Sequence, residues 1–326
     1  MQLHHSLRHL ARIGLLCATA FATASAGAQT VLKMAHVYVP GNIWYESAEA
    51  YAKAVEARSG GKVKIQIAHS GTTGDWPQSI EGLKIGTNDI VLQSVGTLDR
   101  YNTLAGIEAY PYLMRDVDQF KKVYFGPVGA ALYDDIAKKS GFRIIGAGYR
   151  GARHMTNNKK IEKLADLRGV KLRVPGLKMY RMTWEILGAS PVPMGPAELF
   201  TSMQQGVVDG QENPLEWIES NKYNEVQKYV VETGHILGAM TWIFSEAKFK
   251  QLPADVQQIL KEEGEKVMLA YTDRMVKTED DIKKRLQAKG MTFIKVDTGP
   301  WRAALAPLAK EFPEMADWVQ KIQAVK

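Results

Sequence analysis

The first sixty residues after the leader alternate two hydrophobic periods, and this restricts the fold more than any other feature. Residues 31–36 alternate at period two. Residues 43–58 repeat near 3.6 and stop at Gly60-Gly61. Residues 63–67 alternate again. A helical segment through 80–85 leads across Gly86-Thr87-Asn88-Asp89 into the apolar run 90–92. Strand, helix, strand, helix, strand is the order of a parallel sheet with crossover helices.

Residues 128–139 read as a helix and 142–147 as a strand, after which the chain enters 149–158 and starts a second α/β unit. A strand at 170–174, a helix at 179–187, a turn around Pro191 and a helix at 197–205 follow. A strand at 226–232 returns towards the first unit. Pro253 opens a long charged helix reaching about Lys289, with proline at a favourable first-turn position and Gly264 weakening its middle. A strand at 291–296, a helix from Pro300 and another towards the C-terminus complete the chain. Two α/β units joined by more than one crossing predict a cleft with a hinge.

The N-terminus reads as an export signal. Arg8 and Arg12 precede an apolar run from Ile13 to about Ala24, too short to span a bilayer. Ala26-Gly27-Ala28 is a small-residue cleavage site, so the mature chain is expected to start at Gln29. Leu16 is too large for a usual lipobox before Cys17, the one cysteine, which leaves with the leader. The mature chain then has no thiol for catalysis or metal binding. Losing two arginines lowers the formal charge from +7 to +5. That charge is spread without a block of like sign, so no nucleic-acid surface is indicated.

Three polar residues stand out. Arg153 lies in Gly151-Ala152-Arg153-His154-Met155, Arg173 in Lys171-Leu172-Arg173-Val174-Pro175, and Asn213 in Gly210-Gln211-Glu212-Asn213-Pro214. Each is placed by the reading above where a strand gives way to a loop or helix, which is where α/β folds put ligand contacts. Arginine grips a carboxylate with two parallel hydrogen bonds, and a neighbouring amide completes the grip without adding charge. A receptor for a small organic anion follows. Taken alone, an arginine on an α/β protein is more often solvated or paired with a surface acid, and Asn213 taken alone fits a turn better. Trp76, in Gly74-Asp75-Trp76-Pro77 after a strand, and Trp44 are candidates to line a pocket. His36, Gln93 and Ser94 sit at strand ends and offer hydrogen bonds to hydroxyls. The histidines lack metal-ligand spacing. No nucleophile elbow, phosphate loop or dinucleotide fingerprint is present. No catalytic residue, cofactor or metal is therefore expected. An exported α/β enzyme acting on organic acids, and a receptor reporting to a sensor kinase, are the rival readings.

The stretch from Arg153 to Asn213 resembles the periplasmic solute-binding subunit of tripartite ATP-independent periplasmic (TRAP) transporters, of the C4-dicarboxylate-binding type. The matching text is Gly-Ala-Arg-His-Met-Thr-Asn-Asn at 151–158, Leu-Ala-Asp-Leu-Arg-Gly-Val-Lys-Leu-Arg-Val-Pro at 164–175, Leu-Gly-Ala-Ser-Pro-Val-Pro-Met at 187–194 and Glu-Leu-Phe-Thr-Ser-Met-Gln-Gln-Gly-Val-Val-Asp-Gly-Gln-Glu-Asn-Pro at 198–214. The resemblance implies an α/β protein of two lobes around a central cleft, with a long helix spanning both. After a signal peptide at 1–28, lobe I takes 29–150 plus about 239–278. Lobe II takes 151–238 plus about 279–326. It implies that Arg173 holds the ligand carboxylate bidentately, that Asn213 assists and that Arg153 adds a second contact. It further implies a monomer in the periplasm that hands ligand to two integral permease subunits driven by an ion gradient, typically sodium. The chain departs from the sialic-acid-binding branch at Pro196, where that branch has an aromatic residue, and at Ser94, where it has an acid. A ligand other than sialic acid is expected: a sugar acid first, an aromatic or keto acid second.

Overall fold

The computed structural model describes residues 29–326, and the expected signal segment and cleavage site lie outside them. Ten strands form one connected arrangement: β1 (Thr30–Ala35), β2 (Val63–Ala68), β3 (Ile90–Gln93), β4 (Phe142–Asn157), β5 (Lys171–Val174), β6 (Ser190–Pro193), β7 (Gly210–Pro214), β8 (Tyr229–Glu232), β9 (Leu237–Ser245) and β10 (Thr292–Lys295). The lateral order is β2-β1-β3-β9-β4-β7-β5-β6, with β8 joining β4 to β10. The parallel pairings of β1 with β2 and β3 are those expected from the alternation. Between β3 and β4 the chain inserts β9, antiparallel to both. Sequence reading passed over β9 because its residues 238–244 are buried without alternation, as in a strand covered on both faces.

β4 is where the two units meet. Its first part pairs with β9, and its last residues pair with β7 and β8. The strand read at 142–147 runs on to Asn157. Its glycines serve irregularities: the register shifts between Ile145 and Gly148 and between Tyr149 and Gly151. Gly146 and Gly151 take φ of 61° and 102° there, which glycine adopts without a Cβ penalty. Pro191, read as a turn, lies in β6 at the sheet edge, where a missing N–H is tolerated. Asn213 likewise sits in a strand and not in a turn.

The 35-residue helix Ala254–Ala288 is about 52 Å long and crosses both units. At its start the Leu260 carbonyl accepts from Tyr51 (2.8 Å). Midway, Thr272 Oγ1 and Glu279 Oε1 accept from the β4 amides of Tyr149 (2.9 Å) and Ala152 (3.0 Å). Near its end Arg285 pairs with Glu219 (2.7 Å). Gly264 does not break this helix. It lets the helix lie against the sheet, because an added Cβ would sit 2.9 Å from Ile145 Cγ2 and 3.0 Å from Trp242 Cδ1. Gly264→Ala should therefore lower stability. Overpacking costs about 1–3 kcal/mol, against about 1 kcal/mol gained in helix propensity. Thermal denaturation checks this, and a variant more stable than the parent would contradict the packing role.

Candidate functional site

Arg173, 1 % exposed, is the penultimate residue of β5, and Val174 and Pro175 carry the chain away beyond it. Nε and Nη2 both donate to the Met194 carbonyl, at 2.9 and 2.5 Å, while the buried Nη1 has no partner. Among the described residues Arg173 forms no ion pair. Burial lowers its pKa to about 10, although Tyr223 and Glu212 favour the charged form. A buried cation without a counter-ion is costly, and this one lines a cavity of about 240 Å³ with Asp75, Trp76, Thr97, Arg100 and Leu177.

Arg153 has the opposite circumstances. Its Nε and Nη2 reach Glu212 Oε2 and Oε1 at 2.5 and 2.7 Å, and Nη2 also donates to Asn213 Oδ1 at 3.1 Å. Burial opposes its charge, but Glu212 more than offsets this and raises its pKa. The Glu212 carboxyl is pushed up by burial and pulled down further by Arg153 and His235, to about 2. Asn213 cannot rotate freely: its Nδ2 donates to Gln211 Oε1 (2.6 Å), and Gln211 Nε2 donates to Thr156 Oγ1 (3.0 Å). β7 presents Glu212 and Asn213 beside Arg153 because the β4–β7 pairing sets Asn213 opposite His154.

The first unit contributes the other candidates. His36 follows β1; its Nδ1 accepts from the Tyr38 amide (3.2 Å), and its buried Nε2 has no partner. Burial, then the charge of His69, lowers its pKa to about 4, so it is a neutral donor at pH 7. Gln93 spends its amide oxygen on the Ser94 amide (2.8 Å), leaving its nitrogen. The Ser94 hydroxyl is engaged by the buried carboxyl of Glu108, whose pKa burial raises. Trp76 lines the Arg173 cavity and stands edge-on to Trp217 at 6.4 Å. Trp44 does not reach it. Its indole is fully buried against Gly148, where an added Cβ would meet it at 2.7 Å.

Sequence reading missed Asp75, Glu108, Arg150 and Glu216. Asp75 lines the Arg173 cavity and also a second one of about 380 Å³, bounded by Val37, Phe200, Trp217 and Tyr223. Among the described residues no group of three or more His, Cys, Asp or Glu could hold a metal, and no helix is long and apolar enough to cross a membrane.

Comparison with known proteins agrees with this architecture. Residues 34–315 match the family model described as bacterial extracellular solute-binding protein, family 7. The chain is 31% identical over 306 residues to the sialic acid-binding periplasmic protein SiaP of Vibrio cholerae, covering 94% of this chain and 95% of that one. A TRAP periplasmic solute-binding protein of Polaromonas, solved with bound D-erythronate, superposes with a TM-score of 0.86 at 31% identity, covering 91% and 99% of the two chains. One from Roseobacter denitrificans with bound L-galactonate gives 0.85 at 30% identity, covering 90% and 98%. These relatives carry sugar or other organic acids, so the motif resemblance is to TRAP binding proteins at large rather than to binders of C4-dicarboxylates in particular. The two-lobed α/β fold is that of a non-catalytic receptor, and the chain belongs to the bacterial extracellular solute-binding proteins of family 7, the periplasmic binding proteins of TRAP transporters.

Proposed function

We propose that this chain captures a small organic monocarboxylate, a sugar acid in preference to a C4-dicarboxylate, and delivers it to the permease subunits of a TRAP transporter. One observation carries the reading: Arg173 is a buried guanidinium with no counter-ion and with Nη1 unengaged, at the wall of a cavity. A ligand carboxylate supplies the missing charge. Arg153, already neutralised by Glu212, and Asn213 assist at one side. His36 Nε2 and the Gln93 nitrogen are the donors for hydroxyls, with Ser94 holding Glu108 behind them. The D-erythronate and L-galactonate carried by the relatives support this ligand class. Cleavage before Gln29, a monomeric state and an ion-coupled permease complete the proposal. Its lobes are 29–150 plus about 239–278 and 151–238 plus about 279–326. The C-terminal segment touches both: Gln119 Nε2 donates to the Ile322 carbonyl (3.0 Å), and Trp301 stacks edge-on to Trp184 (6.2 Å).

The aromatic lining of the second cavity favours a second reading, an aryl or branched keto acid. A thermal-shift competition separates the two, with L-galactonate, D-erythronate and D-glucuronate against phenylacetate, phenylpyruvate and 2-oxoisovalerate. A ligand at a thousand times its Kd stabilises by about 4 kcal/mol. The sugar acids should give the larger shift, and tight binding confined to the second panel would sink the sugar-acid reading.

A further inference from the structure

Arg150 and Arg153 are three residues apart on β4, so a regular strand would point them to opposite faces. The register shift between Tyr149 and Gly151 removes that constraint, as strand irregularities do. Both guanidiniums end up 2 % exposed in the same polar junction. Arg150 is only partly satisfied there. Its Nε meets Glu216 Oε1 at 3.1 Å, while its buried Nη2 has no partner. Glu216 cannot turn to supply more, since its Oε2 accepts from Asn42 Nδ2 at 2.6 Å.

The surroundings of Arg150 connect it to the second cavity, which shares Asp75 with the Arg173 cavity. Its guanidinium lies over the rings of Trp217 (5.2 Å) and Tyr38 (5.6 Å). Trp217 Nε1 donates to the Tyr223 hydroxyl (3.2 Å), and both rings line the second cavity. Tyr223 is within electrostatic reach of Arg173 and of Arg150. Trp217 thus packs on Arg150 and stands edge-on to Trp76, which lines the Arg173 cavity, and both guanidiniums keep one unengaged nitrogen.

We propose that Arg150 is a specificity-determining residue whose free Nη2 donates to a neutral oxygen, hydroxyl or carbonyl, at the end of the ligand remote from the carboxylate held by Arg173. The proposal rests on the carboxylate-capture reading above. Charge decides that the distal group is neutral. Arg150 is already compensated by Glu216 and Arg153 by Glu212, so of these three buried guanidiniums Arg173 is the one without a paired carboxylate. At the Arg150 end a second ligand carboxylate would meet no uncompensated buried cation and would lie near Glu216 and Glu212. Monoacids with a distal oxygen are therefore selected over diacids, and hydroxyl-free monoacids are disfavoured because the buried N–H would stay unpaired.

The test is calorimetry on the purified mature protein with matched pairs: L-galactonate against hexanoate and D-erythronate against butanoate. Arg150→Met should weaken the tighter-binding aldonate by about 10- to 100-fold, the worth of one hydrogen bond to a charged group. Its hydroxyl-free partner should change much less, so the discrimination ratio collapses. Arg150→Lys keeps a charge opposite Glu216 but loses the fork, and serves if the Met variant does not fold. Glu216→Gln should leave the ratio near its parent value. Equal losses for both members of a pair would mean a structural role and overturn the proposal, as would an unchanged ratio in both Arg150 variants. If neither aldonate binds the parent protein, the sugar-acid reading fails first and the proposal falls with it.

Discussion

Arg173→Met should abolish carboxylate binding and at the same time raise the melting temperature of the unliganded protein. The two effects share one cause. The folded protein holds the Arg173 cation away from water with two bonds to one carbonyl and, among the described residues, no ion pair. A pKa lowered to about 10 means that the folded state disfavours the proton, so the cost is fully present below pH 10 and is relieved as pH rises towards the ordinary arginine value. The shift corresponds to about 3 kcal/mol in order of magnitude. Methionine has similar volume and needs no hydration, and replacing buried charges with apolar side chains is often stabilising. Unliganded Tm should rise by several degrees, at roughly 2–4 °C per kcal/mol for a chain of this size. Binding should fall by at least about 100-fold, since a charge-assisted bidentate pair is lost. Arg173→Lys should bind almost as poorly, because a point ammonium cannot reproduce the fork. Near-parent affinity for the best sugar acid in either variant would rule out the clamp. A lower Tm in the Met variant would show that the two Met194 bonds outweigh desolvation.

Arg173 could be read from the sequence because its signal is local: apolar neighbours on both sides and a proline fix a strand end. Arg150 carried no such signal. Its inward direction depends on an irregularity created by pairing with β9, a strand almost ninety residues later in the chain. Asn213 illustrates tertiary override. Gly210, Asn213 and Pro214 have turn composition, yet the segment becomes a strand because β4 lies beside it on one side and β5 on the other. The parallel order of β1, β2 and β3 was legible since each strand alternates or is wholly apolar, with a helix between. The antiparallel β9 was not, because a fully buried strand and a buried helix segment look alike over nine residues. Trp44 looked like a pocket residue by type alone. Its place in the core is set by Gly148 opposite, a pairing that no spacing rule encodes.

Glu212→Gln should be among the most destabilising single changes in the chain, and its effect should depend on pH in a defined direction. The Glu212 carboxylate is wholly buried, with Arg153 at 2.5 Å and His235 Nε2 at 3.1 Å. His235 is kept neutral by burial, so its Nε2–H donates to Glu212, while Nδ1 faces the Thr233 hydroxyl at 2.9 Å. Neutralising Glu212 leaves Arg153 charged and buried, which costs about 3–5 kcal/mol. That corresponds to a Tm lower by roughly 10 °C. The carboxyl is depressed from its ordinary 4.5 to about 2, so its stabilisation is complete above pH 4.5 and is lost as pH falls through 2. The parent protein should therefore lose stability between these values, and Glu212→Gln should lack that part of the loss. The two denaturation curves, well separated at pH 7, should approach each other near pH 2. Equal stability at pH 7 would mean that Arg153 finds another counter-charge, and a gap that persists to pH 2 would place the effect in packing rather than in the ion pair. Binding gives an independent readout. Without Glu212, Arg153 becomes a second buried cation lacking a carboxylate, so the variant's capacity for diacids should rise relative to monoacids, which the balanced parent site disfavours.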